Sequence, residues 1–122
     1  NFNYLYKKLS DLENYIILPK ATLNSVPSWF GFPIRIRSKN KDDRLKLINF
    51  LTNHKIGSRL LFGGNLTKQP YFKNIKYKIS GDLSNTNLVM DNTFWIGIYP
   101  ALTKSHLDYI VLKFNEYFNH SK

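Results

Sequence analysis

Residues 29–37 read WFGFPIRIR, and this stretch decides the class of fold. Its apolar side chains occupy every second position, at Phe30, Phe32, Ile34 and Ile36. A period of two is typical of a β-strand with one buried face. Pro33 has no backbone N–H to donate to a neighbouring strand, so the sequence predicts an edge strand or a strand bulged at this residue.

Helical patterns and short apolar runs surround this strand. Apolar residues at helical spacing predict helices over residues 2–15, 40–55, 85–91 and 103–118. Apolar runs predict further strands over residues 58–62 and 94–99. Asn40 and Thr103 are suited to cap the helices that follow them. Helices and short strands mixed in this order predict a small α+β fold.

The composition bounds what the chain can be. A length of 122 residues with 43% hydrophobic residues predicts one globular core. The chain has no cysteine, which excludes a disulfide, an iron–sulphur cluster or a thiolate zinc site within these residues. The three histidines, His54, His106 and His120, do not have metal-ligand spacing. No apolar run approaches the roughly 20 residues of a membrane span, so we expect no membrane insertion.

Positive charge raises the question of nucleic acid as a partner. Eighteen Lys and Arg against eight Asp and Glu give a net charge of +10. The excess is spread along the chain, with 11 − 4 = +7 in residues 1–61 and 7 − 4 = +3 in residues 62–122. No run of five like charges occurs, so a solvated surface explains the charge as well as a partner does. We therefore expect no nucleic-acid partner.

The most unusual segment is RLLFGGNLTKQPY, residues 59–71. A predicted strand ends in a Gly-Gly turn, which amide, hydroxyl and phenol groups then follow, with Arg59 at its start. Such a mixture of donors suits a polyhydroxylated or phosphorylated ligand. A tight turn with a solvated polar tip explains the same residues, and the sequence leaves both interpretations open.

Four segments resemble one family in order and spacing. They are SWFGFPI (28–34), IGSRLLFGGNLTKQP (56–70), GDLSNT (81–86) and FWIGIYP (94–100). Together they resemble the C-terminal domain of the nucleotide-sugar 3-dehydrases, which belong to the sugar-aminotransferase family of fold-type I pyridoxal phosphate (PLP) enzymes. The resemblance implies a short, mostly antiparallel sheet packed with helices. It also implies a linking helix at residues 1–18, a small domain at 19–122, and a large PLP-binding domain outside this chain.

The resemblance also implies an activity for the parent enzyme. The family removes the C3 hydroxyl of a CDP- or GDP-linked 4-keto-6-deoxyhexose, in deoxysugar and lipopolysaccharide O-antigen biosynthesis in the cytoplasm. The PLP or pyridoxamine phosphate (PMP) site and the catalytic histidine lie in the large domain, so we expect this chain alone to be inactive. One branch of the family uses an iron–sulphur cluster and a flavin reductase, whereas the other uses glutamate. The absence of cysteine here does not separate the branches.

Nine residues form the substrate-binding site that this resemblance suggests: Trp29, Phe30, Arg59, Phe62, Gly63, Gly64, Asn65, Gln69 and Tyr71. We expect Arg59 to supply charge to a phosphate or to orient the loop, and the polar side chains of the loop to contact sugar or nucleotide. Trp29 and Phe30 would form an apolar wall, although packing between domains explains those two equally well. Related aminotransferases usually have a histidine-containing segment where this chain has residues 62–65. This difference favours a dehydrase over an aminotransferase.

Two readings of the whole chain follow. In the first, it is part of a homodimeric enzyme whose active sites draw on both subunits, as in the family. In the second, it is a free-standing basic module that binds nucleotide sugars or acidic partners without chemistry. A severed domain would expose an apolar patch where its large domain packs, and a free-standing module would not.

Overall fold

A computed structural model describes residues 1–38, 40 and 42–119 of the chain. Four α-helices and four β-strands follow in the order α1 (Phe2–Leu9), β1 (Ile16–Ile17), β2 (Phe32–Ile36), α2 (Asp42–Asn53), β3 (Ser58–Leu60), α3 (Ser84–Asn92), β4 (Thr93–Ile96) and α4 (Lys104–Asn119). Short 3-10 helices cover Ser10–Leu12, Leu66–Lys68 and Pro70–Asn74. The predicted α+β class is confirmed.

The four strands form one sheet in the order β1-β2-β4-β3, and every neighbouring pair is antiparallel. The predicted alternation in β2 holds, because Phe32, Ile34 and Ile36 are all buried. In β4, Phe94 and Ile96 are buried as well. These side chains form the core together with apolar residues of α1, α2 and α4.

The prediction that β2 is an edge strand is wrong, because β2 lies between β1 and β4. Pro33 is tolerated because β1 is very short and pairs only with Arg35 and Ile36. At Pro33 the strand therefore has only β4 as a neighbour, where Pro33 lies opposite Trp95. The strand also begins later than predicted, so that Phe30 lies outside it and is 77% exposed.

The first helix is shorter than predicted. It ends at Leu9, a 3-10 turn follows, and Ile16 and Ile17 form β1 instead of a further helical turn. Leu5, Leu9, Leu12 and Ile16 are all buried in one core. The helical spacing of apolar residues therefore continues past the point where the helix ends, which is why the sequence pattern did not reveal the break.

The caps of the longer helices match the prediction in part. The side-chain oxygen of Asn40 accepts a hydrogen bond from the backbone N–H of Asp42 (3.0 Å), which confirms the cap of α2. After α2, the left-handed residue is Lys55 (φ 63°), and Gly57 has no positive φ. Ahead of α4, the Thr103 backbone N–H donates to Nδ1 of His106 (3.1 Å). His106 thus has a capping role that its position alone did not show.

The two terminal helices pack side by side across the core. On their exposed edge, the Tyr4 hydroxyl donates to a carboxylate oxygen of Asp108, whose other oxygen accepts from Lys104 Nζ (2.6 Å). These hydrogen bonds lower the pKa of Asp108, mainly through Lys104, and raise that of Tyr4, mainly through Asp108. Among the residues that the structure describes, no helix is long and apolar enough to cross a membrane.

Candidate functional site

The predicted Gly-Gly turn follows β3 and rests on α3. Phe62 has a φ of 48° and Gly64 a φ of 59°, so the chain visits the left-handed region twice within three residues. A Cβ atom on Gly64 would lie 2.6 Å from Cγ of Met90 on α3. Glycine is therefore needed at position 64 for its backbone conformation and for close packing.

Asn65 lies beneath this turn and is 3% exposed. Its side-chain oxygen accepts hydrogen bonds from the backbone N–H and the hydroxyl of Thr67 (3.0 and 2.8 Å). Its side-chain nitrogen donates to the side-chain oxygen of Asn87 on α3 (2.8 Å). The Asn65 amide therefore ties the turn to α3 and caps the 3-10 helix that begins at Leu66.

A second hydrogen bond closes the same loop. The side-chain nitrogen of Gln69 donates to the carbonyl oxygen of Gly63 (2.6 Å), across six residues. α3 is itself fixed at its start, where the Asp82 carboxylate accepts from the backbone N–H of Ser84 (2.6 Å). Hydrogen bonding by Ser84, its side chain first and then its backbone, lowers the pKa of Asp82. Residues 62–69 thus form a well-anchored loop.

An apolar cleft of about 240 Å³ opens beside this loop, on the face of the sheet away from the core. We call it the aromatic cleft; it is lined by Trp29, Phe30, Gly31, Pro33, Leu61, Phe62 and Trp95. Phe62 (78% exposed) and Phe30 (77% exposed) both line it. Trp29 and Phe30 therefore meet Phe62, a predicted site residue that is distant in sequence, in one place.

Arg59 lies on the same face of the sheet as the aromatic cleft. It is paired with Trp95 of β4, which in turn is paired with Pro33 of β2. Residues directly opposite one another on neighbouring strands point to the same face, so these three side chains form a row across the sheet. Arg59 is exposed at the end of that row.

The other predicted residues lie further from the cleft. Gly63, Gly64 and Gln69 line a smaller cleft of about 130 Å³, which shares Phe62 and Leu61 with the aromatic cleft. Tyr71 lines neither cleft; its ring packs on Phe72 at 4.9 Å between centroids and is 59% exposed. The structure therefore assembles the aromatic and glycine residues of the site and leaves Tyr71 beside it.

The sequence analysis did not identify two residues of this site. Trp95 forms the floor of the aromatic cleft, and its position in a predicted apolar strand was the only sequence feature that pointed to it. Arg44 of α2 lines the smaller cleft and donates from Nη1 to the carbonyl oxygens of Met90 (2.5 Å) and Thr93 (3.3 Å). Arg44 therefore holds the junction of α3 and β4 beneath the loop. Arg44 is half-buried, and no pattern in the sequence distinguished it from the exposed cations.

The aromatic cleft does not fit PLP, because no charged or hydroxyl side chain lines it to hold the phosphate or the pyridine nitrogen. Within residues 1–38, 40 and 42–119 there is also no group of three His, Cys, Asp or Glu residues that could hold a metal ion. The aromatic cleft and Arg59 can bind and orient a ligand through apolar faces and one cation. The side chains that line the aromatic cleft provide no acid, base or nucleophile.

Sequence comparison identifies the family. The profile of the DegT/DnrJ/EryC1/StrS aminotransferase family matches residues 1–115 of the chain. The chain belongs to this family. It is 53% identical over 118 residues, or 97% of its length, to the lipopolysaccharide biosynthesis protein RfbH of Salmonella typhimurium. It is 44% identical over 117 residues, or 96% of its length, to dTDP-4-dehydro-2,6-dideoxy-D-glucose 3-dehydratase of Saccharopolyspora spinosa.

The family members differ from this chain in length. The matched segments make up 27% of RfbH and 25% of the S. spinosa enzyme, so the chain spans about a quarter of these relatives. Among solved structures, E. coli GDP-4-keto-6-deoxy-D-mannose-3-dehydratase with bound hydrated PLP matches 93% of this chain and 28% of its own, with a TM-score of 0.79 and 24% identity. The fold is therefore that of a domain of the fold-type I PLP enzymes, as the motifs indicated.

Proposed function

We propose that this chain is the small domain of a PLP-dependent nucleotide-sugar 3-dehydratase. The parent enzyme would remove the C3 hydroxyl of a nucleotide-linked 4-keto-6-deoxyhexose in deoxysugar and lipopolysaccharide O-antigen biosynthesis. The observation that carries this proposal is the 44% identity, over nearly the whole chain, to an enzyme whose name states a sugar 3-dehydratase activity. That relative acts on a dTDP-linked sugar, so dTDP joins CDP and GDP as a candidate nucleotide.

In this proposal, residues 1–18 link the domain to a large domain that binds PLP or PMP. Bound in that large domain, the cofactor would supply the electron sink for loss of the C3 hydroxyl. This chain closes over the nucleotide sugar and excludes water. Arg59 offers a positive charge to a phosphate, and Asn65 and Gln69 act by fixing the loop, because their side chains are already hydrogen-bonded within the domain. Tyr71 contributes from the edge of the site.

The remaining partners are also proposals. The enzyme would be a cytoplasmic homodimer, as expected for the family. Reduction of the product would use either an iron–sulphur cluster with a flavin reductase or glutamate, with the cluster outside this chain.

A chimeric enzyme tests the proposed function. In the S. spinosa 3-dehydratase, the segment that aligns with this chain would be replaced by residues 1–122. Mass spectrometry would then detect loss of the C3 oxygen from dTDP-4-dehydro-2,6-dideoxy-D-glucose. We expect the chimera to retain PLP-dependent dehydration, and the enzyme lacking the segment to lose it. CDP- and GDP-linked 4-keto-6-deoxyhexoses, tested next, would identify the preferred nucleotide.

Two outcomes would overturn this proposal. A folded chimera that holds PLP but only aminates C4 in the presence of glutamate would make the chain an aminotransferase domain. A chimera with no activity, together with nucleotide-sugar binding by the isolated chain, would support the free-standing basic module instead.

A further inference from the structure

The aromatic cleft is too small for a whole nucleotide sugar. Its volume of about 240 Å³ lies below the roughly 300–1,000 Å³ of ordinary ligand pockets. A group the size of one planar ring fits this space. Because no side chain with a carboxylate, amide or hydroxyl lines the cleft, a hexose bound there would leave its own hydroxyls without partners. A nucleobase, in contrast, has an apolar face that stacks on aromatic rings.

We propose that the aromatic cleft binds the nucleobase of the nucleotide sugar by stacking, chiefly on Phe62 and Phe30. This inference rests on the proposed function, because it assigns one part of that substrate to one part of the site. The inference goes beyond the proposed function because it assigns the base and the sugar to different places: the base lies in the aromatic cleft, and the sugar would lie towards the large domain.

The walls of the cleft are held in place before any ligand arrives. Trp29 stacks on Phe2 of α1, with ring centroids 4.2 Å apart and planes 4° apart. Phe30 packs against Trp95 at 5.0 Å. Phe62 keeps a left-handed backbone, which is strained for a residue other than glycine, because the anchored loop fixes it there. Rigid aromatic walls reduce the entropy that binding costs.

The charge around the cleft favours a phosphorylated ligand over an apolar plug from another domain. Arg59 lies on the same face of the sheet, in the row that contains Trp95. Residues 59–81 contain five cationic residues and no acidic residue. A nucleobase joined to a diphosphate matches an apolar aromatic cleft with a cation on the same face of the sheet.

Intrinsic fluorescence offers a direct test, because Trp29 and Trp95 are the only two tryptophans of the chain and both line the aromatic cleft. The isolated chain would be titrated with CDP, GDP and dTDP, with pyrophosphate and ribose 5-phosphate as ligands that lack a base. Free N-acetyltryptophanamide corrects for light absorbed by the nucleotides. We expect saturable quenching by at least one nucleoside diphosphate and none by the two ligands without a base.

Substitutions then separate stacking from simple apolar contact. Phe62→Ala is expected to weaken nucleotide binding about 5- to 140-fold, as loss of one base–aromatic stack does. Phe62→Leu keeps an apolar side chain but no π face, and we expect it to weaken binding nearly as much. Tyr99→Ala removes another exposed aromatic ring (61% exposed, against 78% for Phe62) from a different cleft, and it serves as the matched control with unchanged affinity.

The outcomes distinguish this inference from the proposed function. An active chimera whose KM for the nucleotide sugar is unchanged by Phe62→Ala, in a chain that shows no quenching, would overturn base stacking and leave the dehydratase proposal intact. An inactive chimera, together with quenching of the chain that depends on Phe62, would support base stacking and count against the dehydratase proposal. If Phe62→Ala instead lowers the thermal stability of the chimera without changing KM, the cleft packs against the large domain and the inference is wrong.

Discussion

Close approach of the Trp95 ring to the backbone at Gly31 determines which residue position 31 can hold. A Cβ atom built on Gly31 would lie 2.4 Å from Cε3 of Trp95, which is a ring atom that packing against Phe30 holds in place. We expect Gly31→Ala to reduce the free energy of unfolding by about 1–3 kcal/mol, as overpacking usually does. Urea denaturation followed by circular dichroism would measure it. Gly57→Ala is the control, because a Cβ there meets nothing within 4 Å. Equal midpoints for the two variants would contradict this account.

Single residues also show where sequence reasoning reaches its limit. The sequence predicted a ligand role for Asn65 because an amide follows a Gly-Gly turn. In the structure, the same amide is buried and bonded to Asn87, which is 22 residues away. The type of side chain identified an important position. Whether its polar atoms face a ligand or another element depends on tertiary contacts that local spacing does not encode.

At the scale of elements, the end of α2 carries backbone strain that one substitution can release. Lys55 has a φ of 63°, in the region that glycine adopts without steric cost. A left-handed residue other than glycine costs about 1–2 kcal/mol, and part of the gain is lost to the greater freedom of glycine in the unfolded chain. We therefore expect Lys55→Gly to stabilise the protein by about 0.5–1 kcal/mol.

Thermal and urea unfolding of this variant would test the expectation. Lys55→Ala is the matched control, because it removes the same side chain and keeps the steric penalty. A similar gain in both variants would show that the lysine side chain, and not the backbone conformation, is the source of the effect.

The contact between α1 and α4 gives a prediction about pH. Hydrogen bonds from Lys104 and Tyr4 lower the pKa of Asp108 below its usual 3.8. A carboxyl with a lowered pKa in the folded state stabilises the protein above its unfolded pKa, and this contribution is lost as the pH falls through the folded value. The Tyr4 pKa is raised above 10.0, so its contribution is lost as the pH rises through that raised value.

We therefore expect Asp108→Asn to lower the melting temperature at about pH 7, and we expect the difference from wild type to vanish once the pH falls below the lowered pKa of Asp108, where the wild-type carboxyl is also neutral. Melting curves across this range would measure the difference. Asp11→Asn, at an exposed carboxylate outside this contact, controls for net charge. A difference between wild type and Asp108→Asn that persists at the lowest pH would assign the effect to packing.

Elements differed in how well the sequence predicted them. The alternation in β2 and the apolar stripe of α4 were read correctly, because both have a regular period and one buried face. β1 was missed, since two residues cannot show a period and their apolar character fitted the preceding helix. The edge assignment of β2 failed for the same reason: the strand that covers its other side was not recognised.

The whole molecule exposes an apolar surface that a larger assembly would cover. Leu66, Ile75 and Ile79 are about half exposed in the segment between β3 and α3, outside the aromatic cleft. Exposed apolar patches of this kind mark interaction sites.

We expect the isolated chain to bind the dye ANS and to show no dehydratase turnover. We also expect dye binding to fall when the chain is joined to a cofactor domain in the chimera. The double substitution Ile75→Ser and Ile79→Ser should remove much of the dye fluorescence, whereas Leu112→Ser, which removes a single exposed leucine of α4, should leave it unchanged. A chain that stays monomeric by light scattering and binds no dye would contradict the interpretation of this surface as an interface and would favour the free-standing module.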